Sequence, residues 1–104
     1  MTREPDVSTN LPQKIIDQMR KAGLPTSGNH PFRPKLTHNQ KGEPIIEKRA
    51  VGKGPKQGKR GYVDDQDRIW IRDRAHAHVP DHWDVQIDDG DRYVRVDNDG
   101  NQLS

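Results

Sequence analysis

The run His82-Trp83-Asp84-Val85-Gln86 sets an imidazole, a carboxylate and an amide at alternate positions. In an extended chain that spacing turns all three side chains to one side. Asp89-Gly90 follows, a dipeptide typical of tight two-residue hairpin turns. Counting outward from it opposes Asp88 to Asp91, Ile87 to Arg92, Gln86 to Tyr93, Val85 to Val94, Asp84 to Arg95, Trp83 to Val96 and His82 to Asp97. One face of this predicted hairpin carries Trp83, Val85, Ile87, Val94 and Val96. The other carries His82, Asp84, Gln86, Tyr93, Arg95 and Asp97. An imidazole, carboxylates and a guanidinium gathered on one face are the groups an acid–base reaction on a phosphodiester requires. One group takes a proton from a ribose hydroxyl, a second protonates the leaving oxygen, and the arginine balances charge growing on the phosphoryl oxygens. Histidine suits such a role because its ordinary pKa lies nearest neutrality. An ordinary polar face with an Asp84–Arg95 cross-strand pair is the plainer alternative.

Three histidines, His76, His78 and His82, stand close together with Asp81. Their spacing also admits a zinc or nickel site. His30 and His38 lie in a different setting and receive no role.

These residues need elements to hold them. Tyr62-Val63 and Arg68 to Arg72 read as two strands joined by the polar turn Asp64-Asp65-Gln66-Asp67, and Ile45 to Val51 as a further short strand. Asn98 to Asn101 marks another turn. Upstream, Ile15, Ile16, Met19 and Ala22 recur at helical spacing, with Asn10 as cap, Pro12 in the first turn, and Gly23 and Pro25 as stop signals. Residues 24–44 hold four prolines and two glycines among scattered basic residues, the pattern of an irregular connection. The expected fold class is therefore α+β: a small twisted antiparallel sheet of four to five strands with one N-terminal helix. Its parts are a tail, helix and basic irregular segment over 1–44 and a catalytic sheet domain over 45–104.

Composition limits the choices. Of 104 residues, 28% are hydrophobic and none is cysteine, so the core is thin and disulfide frameworks, thiolate metal sites and cysteine nucleophiles are excluded. No apolar stretch is long enough for a membrane span or a signal peptide, and the chain is expected to be a monomer. The net charge of +2 conceals a division. Residues 1–60 carry 13 Lys and Arg against 5 Asp and Glu, whereas residues 61–104 carry 5 against 11. The basic half suits a nucleic-acid or other acidic partner. Its glycine-rich segment 52–61, with Lys53, Lys56, Lys59 and Arg60, suits a phosphate backbone approached closely and without sequence preference. A plain basic linker has the same composition.

The C-terminal half also carries a resemblance. Ile69-Trp70-Ile71-Arg72-Asp73-Arg74-Ala75-His76, in which an aliphatic–aromatic pair leads to Asp and, three residues on, to His, resembles the catalytic strand of the ribosome-inactivating colicins and cloacin. Gly58-Lys59-Arg60-Gly61-Tyr62 is similar to that family's basic approach to its first strand. Asp89-Gly90 and the segment 97–103 resemble its hairpin turn and last strand. Pro80-Asp81-His82-Trp83-Asp84-Val85-Gln86 is similar to a His-Trp-Asp-Val-Gln signature in the C-terminal toxin domains of bacterial polymorphic toxins, the contact-dependent and Rhs-type effectors. The resemblance implies a metal-independent ribonuclease acting on ribosomal or transfer RNA without a cofactor. It further implies a toxin that is secreted or delivered into the cytoplasm of a target bacterium and restrained by an immunity protein. Asp73 and His76 match the colicin pattern; the family's glutamate has no counterpart at its place, and Asp81 and Asp84 are the nearest acidic residues. The implied roles are His76 or His82 as general acid or base, Asp84 or Asp73 as its partner, and Arg95 as charge stabiliser. A metal-dependent nuclease using the His76, His78 and His82 cluster, or a non-catalytic module binding RNA or protein, are the rival expectations.

Overall fold

A computed structural model describes residues 6–73 and 81–103. In chain order they form one helix, α1 (Gln13–Ala22), and seven strands: β1 (Leu36–His38), β2 (Pro44–Ile46), β3 (Lys48–Ala50), β4 (Arg60–Val63), β5 (Ile69–Asp73), β6 (His82–Ile87) and β7 (Arg92–Val96). Strands β3 to β7 make one antiparallel sheet in sequential order, and β1 and β2 make a separate two-stranded sheet. The architecture is the expected small α+β fold.

The helix starts differently from its sequence signals. Asn10 belongs to a short 3-10 turn, Val7–Asn10, capped by Asp6, whose carboxylate accepts the Ser8 N–H at 2.8 Å. Pro12 immediately precedes α1, and its carbonyl accepts Ile15 N–H and Ile16 N–H. Having no N–H of its own, proline loses nothing at this position. Gly23 ends the helix in the left-handed conformation, φ 76°, that glycine adopts without steric cost. One turn apart, Ile15 and Met19 are both fully buried.

Those two side chains, with Leu24, Phe32 and Ile46, meet Trp70, Trp83, Val85 and Val96 on one face of the sheet. Phe32 stands edge-on to Trp70 at 5.2 Å between ring centroids, and Trp70 lies 6.2 Å from Trp83. Both indole N–H groups are satisfied: Trp83 donates to the Gly23 carbonyl at 3.1 Å, and Trp70 to Asp64 at 3.0 Å. A buried tryptophan needs such a partner because its ring is apolar and its nitrogen is not.

Within residues 24–44, expected to be irregular, β1 pairs with β2 around a turn built on Asn39, whose side-chain oxygen accepts Lys41 N–H and Glu43 N–H. Asx chemistry of this kind shapes a turn with no help from hydrophobic alternation. The strand expected over 45–51 is two strands, β2 and β3, which part at Glu47: its N–H donates to the Lys35 carbonyl in the β1–β2 register, and its carbonyl accepts Val63 N–H in the β3–β4 register.

The last hairpin has the expected register from Trp83–Val96 to Ile87–Arg92. Its turn is wider than a two-residue one. Asp88 and Asp89 both take positive φ, 52° and 61°, and the chain makes a short 3-10 turn before β7. Aspartate tolerates that region better than most residues, and here Asp89 is also held from outside: its carboxylate accepts Gly52 N–H at 2.8 Å, and its carbonyl accepts Lys53 N–H at 3.1 Å. Asp97 leaves the predicted face altogether. Its carboxylate accepts Asp99 N–H and Asn101 N–H and holds the final turn.

Candidate active site

Strand alternation and register decide which polar groups meet. Trp70 and Arg72 share the helix-side face of β5, so Ile69, Ile71 and Asp73 face the other way. Opposite them in register stand Gln86, Asp84 and His82 of β6. Beyond β6, Tyr93 pairs with Gln86 and Arg95 with Asp84. The second face of the sheet therefore runs from an apolar patch of Val51, Val63, Ile69 and Ile71 to a polar end of Asp73, His82, Asp84 and Arg95.

That polar end is closed over. His82 is 1% exposed, Asp84 3% and Gln86 1%. The segment between β3 and β4 contributes to this closure by folding toward the β6–β7 turn, where Gly52 and Lys53 bond to Asp89. Gly90 permits the approach: its φ is 108°, and a Cβ there would strike the Lys53 carbonyl oxygen and the Val51 side chain. Anchored in this way, the loop sends Lys56 inward, its Nζ 3.5 Å from Asp84 Oδ2.

His82 sits between two carboxylates. Its Nε2 lies 3.3 Å from Asp73 Oδ2 and 3.2 Å from Asp84 Oδ1. Arg95 Nε approaches the same Asp84 oxygen at 3.9 Å from the open side, where its side chain is 45% exposed. Asp73, 30% exposed, is the more accessible carboxylate. Asp84 Oδ1 and Gln86 Oε1 are buried without a hydrogen bond among the described residues. The Gln86 amide nitrogen donates to the Asp84 carbonyl at 3.2 Å. A buried acceptor without a donor costs about 1–3 kcal/mol, and a chain this short has little stability to spare. Such groups accumulate where chemistry or binding requires them.

The candidate residues thus fall into three sets. Asp73, His82, Asp84 and Arg95 converge on one centre, joined by Lys56, which the sequence groups with the phosphate-gripping residues. Of the two pairs that the motifs suggest separately, Asp73 meets His82 and Asp84. Lys53, Lys59 and Arg60 remain exposed around the loop and the start of β4, within the same basic segment. His76 and His78 lie outside the described residues, so the three-histidine metal arrangement has only His82 in the described structure. The ligand atoms of Asp73, His82 and Asp84 do lie within 4.8 Å of one another, a grouping that could hold a metal ion.

No protein-family model, curated protein or solved structure matches the chain.

One buried carboxylate is legible in the sequence only as part of a turn. Asp64 is completely buried and accepts four hydrogen bonds: Gln66 N–H and Arg68 N–H on Oδ1, Arg68 Nε–H and Trp70 Nε1–H on Oδ2, all between 2.7 and 3.0 Å. An Asp followed by Arg at the fourth position and Trp at the sixth is the signal, visible only once the turn is known to close. Arg72, another charged residue of β5, is equally committed to structure. It donates to Asn98 at 2.8 Å and Asp81 at 3.2 Å, and its guanidinium lies 5.0 Å from the centre of the Trp83 ring.

Proposed function

We propose that this chain is the ribonuclease domain of a bacterial toxin, cutting ribosomal or transfer RNA by acid–base chemistry without a metal. The observation that carries the reading is the placement of His82 Nε2 within 3.3 Å of both Asp73 and Asp84, with Lys56 and Arg95 converging on Asp84. In the proposed reaction the ribose 2′-hydroxyl gives its proton to Asp73, the accessible carboxylate, and the 2′-oxygen bonds to phosphorus. The P–O5′ bond then breaks, and the leaving oxygen takes a proton returned through the Asp73–His82 couple. Asp84 holds His82 from behind. Arg95 supplies positive charge to the phosphoryl oxygens as negative charge builds there. The products are a 2′,3′-cyclic phosphate and a 5′-hydroxyl, so the attack requires RNA.

The delivery into a target bacterium and the immunity protein belong to the same proposal and rest on the toxin-like motifs. No described helix is long and apolar enough to cross a membrane. An acidic immunity protein suits the basic half of the chain.

A second reading uses Asp73, His82 and Asp84 as metal ligands, favoured by the grouping of their ligand atoms. Incubating the purified protein with total bacterial RNA separates the two. Cleavage that persists in chelator, leaves cyclic phosphate ends and falls by about 10²–10⁴-fold in His82→Ala supports the acid–base reading. Cleavage abolished by chelator and restored by a divalent ion transfers the site to the metal reading. RNA left intact with and without divalent ions overturns both, and leaves a binding module.

A further inference from the structure

Tyr93 is an exposed aromatic on the face that carries the candidate centre. It is 47% exposed, and the other large exposed apolar residues, Leu36 and Leu103, lie outside the five-stranded sheet. On β7 it stands two positions before Arg95, so both side chains project to the same side, one pleat repeat or about 7 Å apart. Across the ladder, Tyr93 opposes Gln86 and Arg95 opposes Asp84. The Arg95 guanidinium reaches back toward the phenol ring, 6.0 Å from its centre, while its Nε faces Asp84. An aromatic ring with a guanidinium beside it is a surface on which a nucleobase stacks. Phosphate chemistry on the Arg95 side and a ring within one pleat repeat are matched to the two ends of a single nucleotide.

We propose that Tyr93 is the stacking platform for an unpaired base next to the scissile phosphate, making single-stranded RNA the substrate class. The assignment rests on the ribonuclease reading and adds its substrate. A base in a duplex already stacks on its neighbours and cannot lie on Tyr93, so loops and unpaired ends bind and paired stems do not. Tyr93 acts through its ring face, and its hydroxyl is dispensable.

Binding tests this without any cleavage. A fluorescently labelled single-stranded 2′-O-methyl oligonucleotide, which has no 2′-hydroxyl to attack, is titrated with the wild-type chain, and the same sequence annealed to its complement serves as the duplex arm. The single strand is expected to bind more tightly than the duplex. Tyr93→Ala is expected to raise Kd for the single strand about tenfold or more, in keeping with base–aromatic stacking, while Tyr93→Phe and Tyr93→Trp stay near wild type. On cleavable RNA, Tyr93→Ala is expected to raise KM with kcat nearly unchanged. The proposal is overturned by equal binding of single strand and duplex, by unaltered binding in Tyr93→Ala, by equal losses in Tyr93→Phe and Tyr93→Ala, or by no binding at all. If RNA is never cut but Tyr93-dependent binding persists, the platform stands and the ribonuclease reading falls. Cleavage lost in His82→Ala but indifferent to Tyr93 gives the opposite result.

Discussion

Both faces of the five-stranded sheet bury side chains, and they do so with different chemistry. On the helix side Trp70, Trp83, Val85 and Val96 pack against Ile15, Met19 and Phe32, and the two indole nitrogens find acceptors. On the other side Asp84 and Gln86 are buried almost as deeply, yet each keeps an oxygen without a hydrogen bond among the described residues. Two aspartates show the same division. Asp64 has every donor it can use and closes the β4–β5 turn, whereas Asp84 is surrounded by charges and is under-bonded. Full satisfaction is what a structural carboxylate needs. An acceptor left without a donor among the described residues is held there against a free-energy cost, and a site of the kind proposed would account for that cost.

The largest expected effect breaks this contrast or secures it. Asp64→Ala removes the acceptor for Trp70, Arg68 and Gln66 together, and is expected to destabilise the fold by about 3–5 kcal/mol. Asp84→Asn removes a charge but no hydrogen bond from Oδ1, and its cationic neighbours are partly solvated. The isosteric amide keeps the packing of the side chain, so the loss of stability is expected to be smaller than in Asp64→Ala, while RNA cleavage falls by about 10²-fold or more. Urea unfolding of the two variants measures the first half of the contrast and an RNA cleavage assay the second. If Asp84→Asn unfolds as readily as Asp64→Ala, the second face is a structural core and the assignment of a site to it fails.

Smaller effects are expected where the loop closes over that face. Gly90→Ala meets the Lys53 carbonyl at a positive φ, and is expected to cost about 1–3 kcal/mol. It should also loosen the anchor that carries Lys56 inward. Lys56→Met keeps the stem that covers Asp84 and removes only the ammonium, so stability should stay within about 0.5 kcal/mol while cleavage falls roughly tenfold, by about 1.4 kcal/mol of transition-state stabilisation. Thermal unfolding and single-turnover cleavage on the same preparations distinguish the two. Equal activity losses per folded molecule in both variants fit a loop that works mainly through Lys56. A silent Lys56→Met assigns the loop to cover alone.

Much of this arrangement is legible in the amino-acid sequence because it is local. The Asp89-Gly90 signal and strict alternation on either side determine the hairpin register, and register alone brings Arg95 opposite Asp84. The Ile15–Met19 spacing likewise identifies the buried face of α1. What eludes sequence reading is what covers the polar face. That depends on Gly52 and Lys53 bonding to Asp89, a contact between backbone atoms and one carboxylate far along the chain, with no periodic pattern to announce it. The same contact is made by the turn that is wider than the expected two-residue one. Asp64 eludes it for a related reason: a polar turn residue and a buried four-bond acceptor have the same letter, and only the closure of Trp70 over the turn separates them.

The smallest expected effect concerns acid, and it falls outside the polar end of the second face. Asp67, in the β4–β5 turn, is held below the ordinary carboxylate range by its hydrogen bond and charge pairing with Lys35, with a further contribution from Arg49. Asp6 is held low by the Ser8 hydroxyl and N–H, with Thr26 adding to the effect. A carboxyl whose folded pKa is depressed contributes stability at pH values above its unfolded pKa, about 4, and loses that contribution as pH falls through the folded value. Wild type and an Asp6→Asn, Asp67→Asn double variant should therefore show a constant small difference in unfolding midpoint from pH 7 to pH 5. The difference should begin to shrink near pH 4, as the unfolded-state carboxyls take up protons, and the curves should converge only after pH has fallen through the depressed folded-state values. Both groups are surface-exposed, so the difference should also shrink in high salt. Curves that stay parallel to the acid end would mean that these two carboxyls contribute by shape alone.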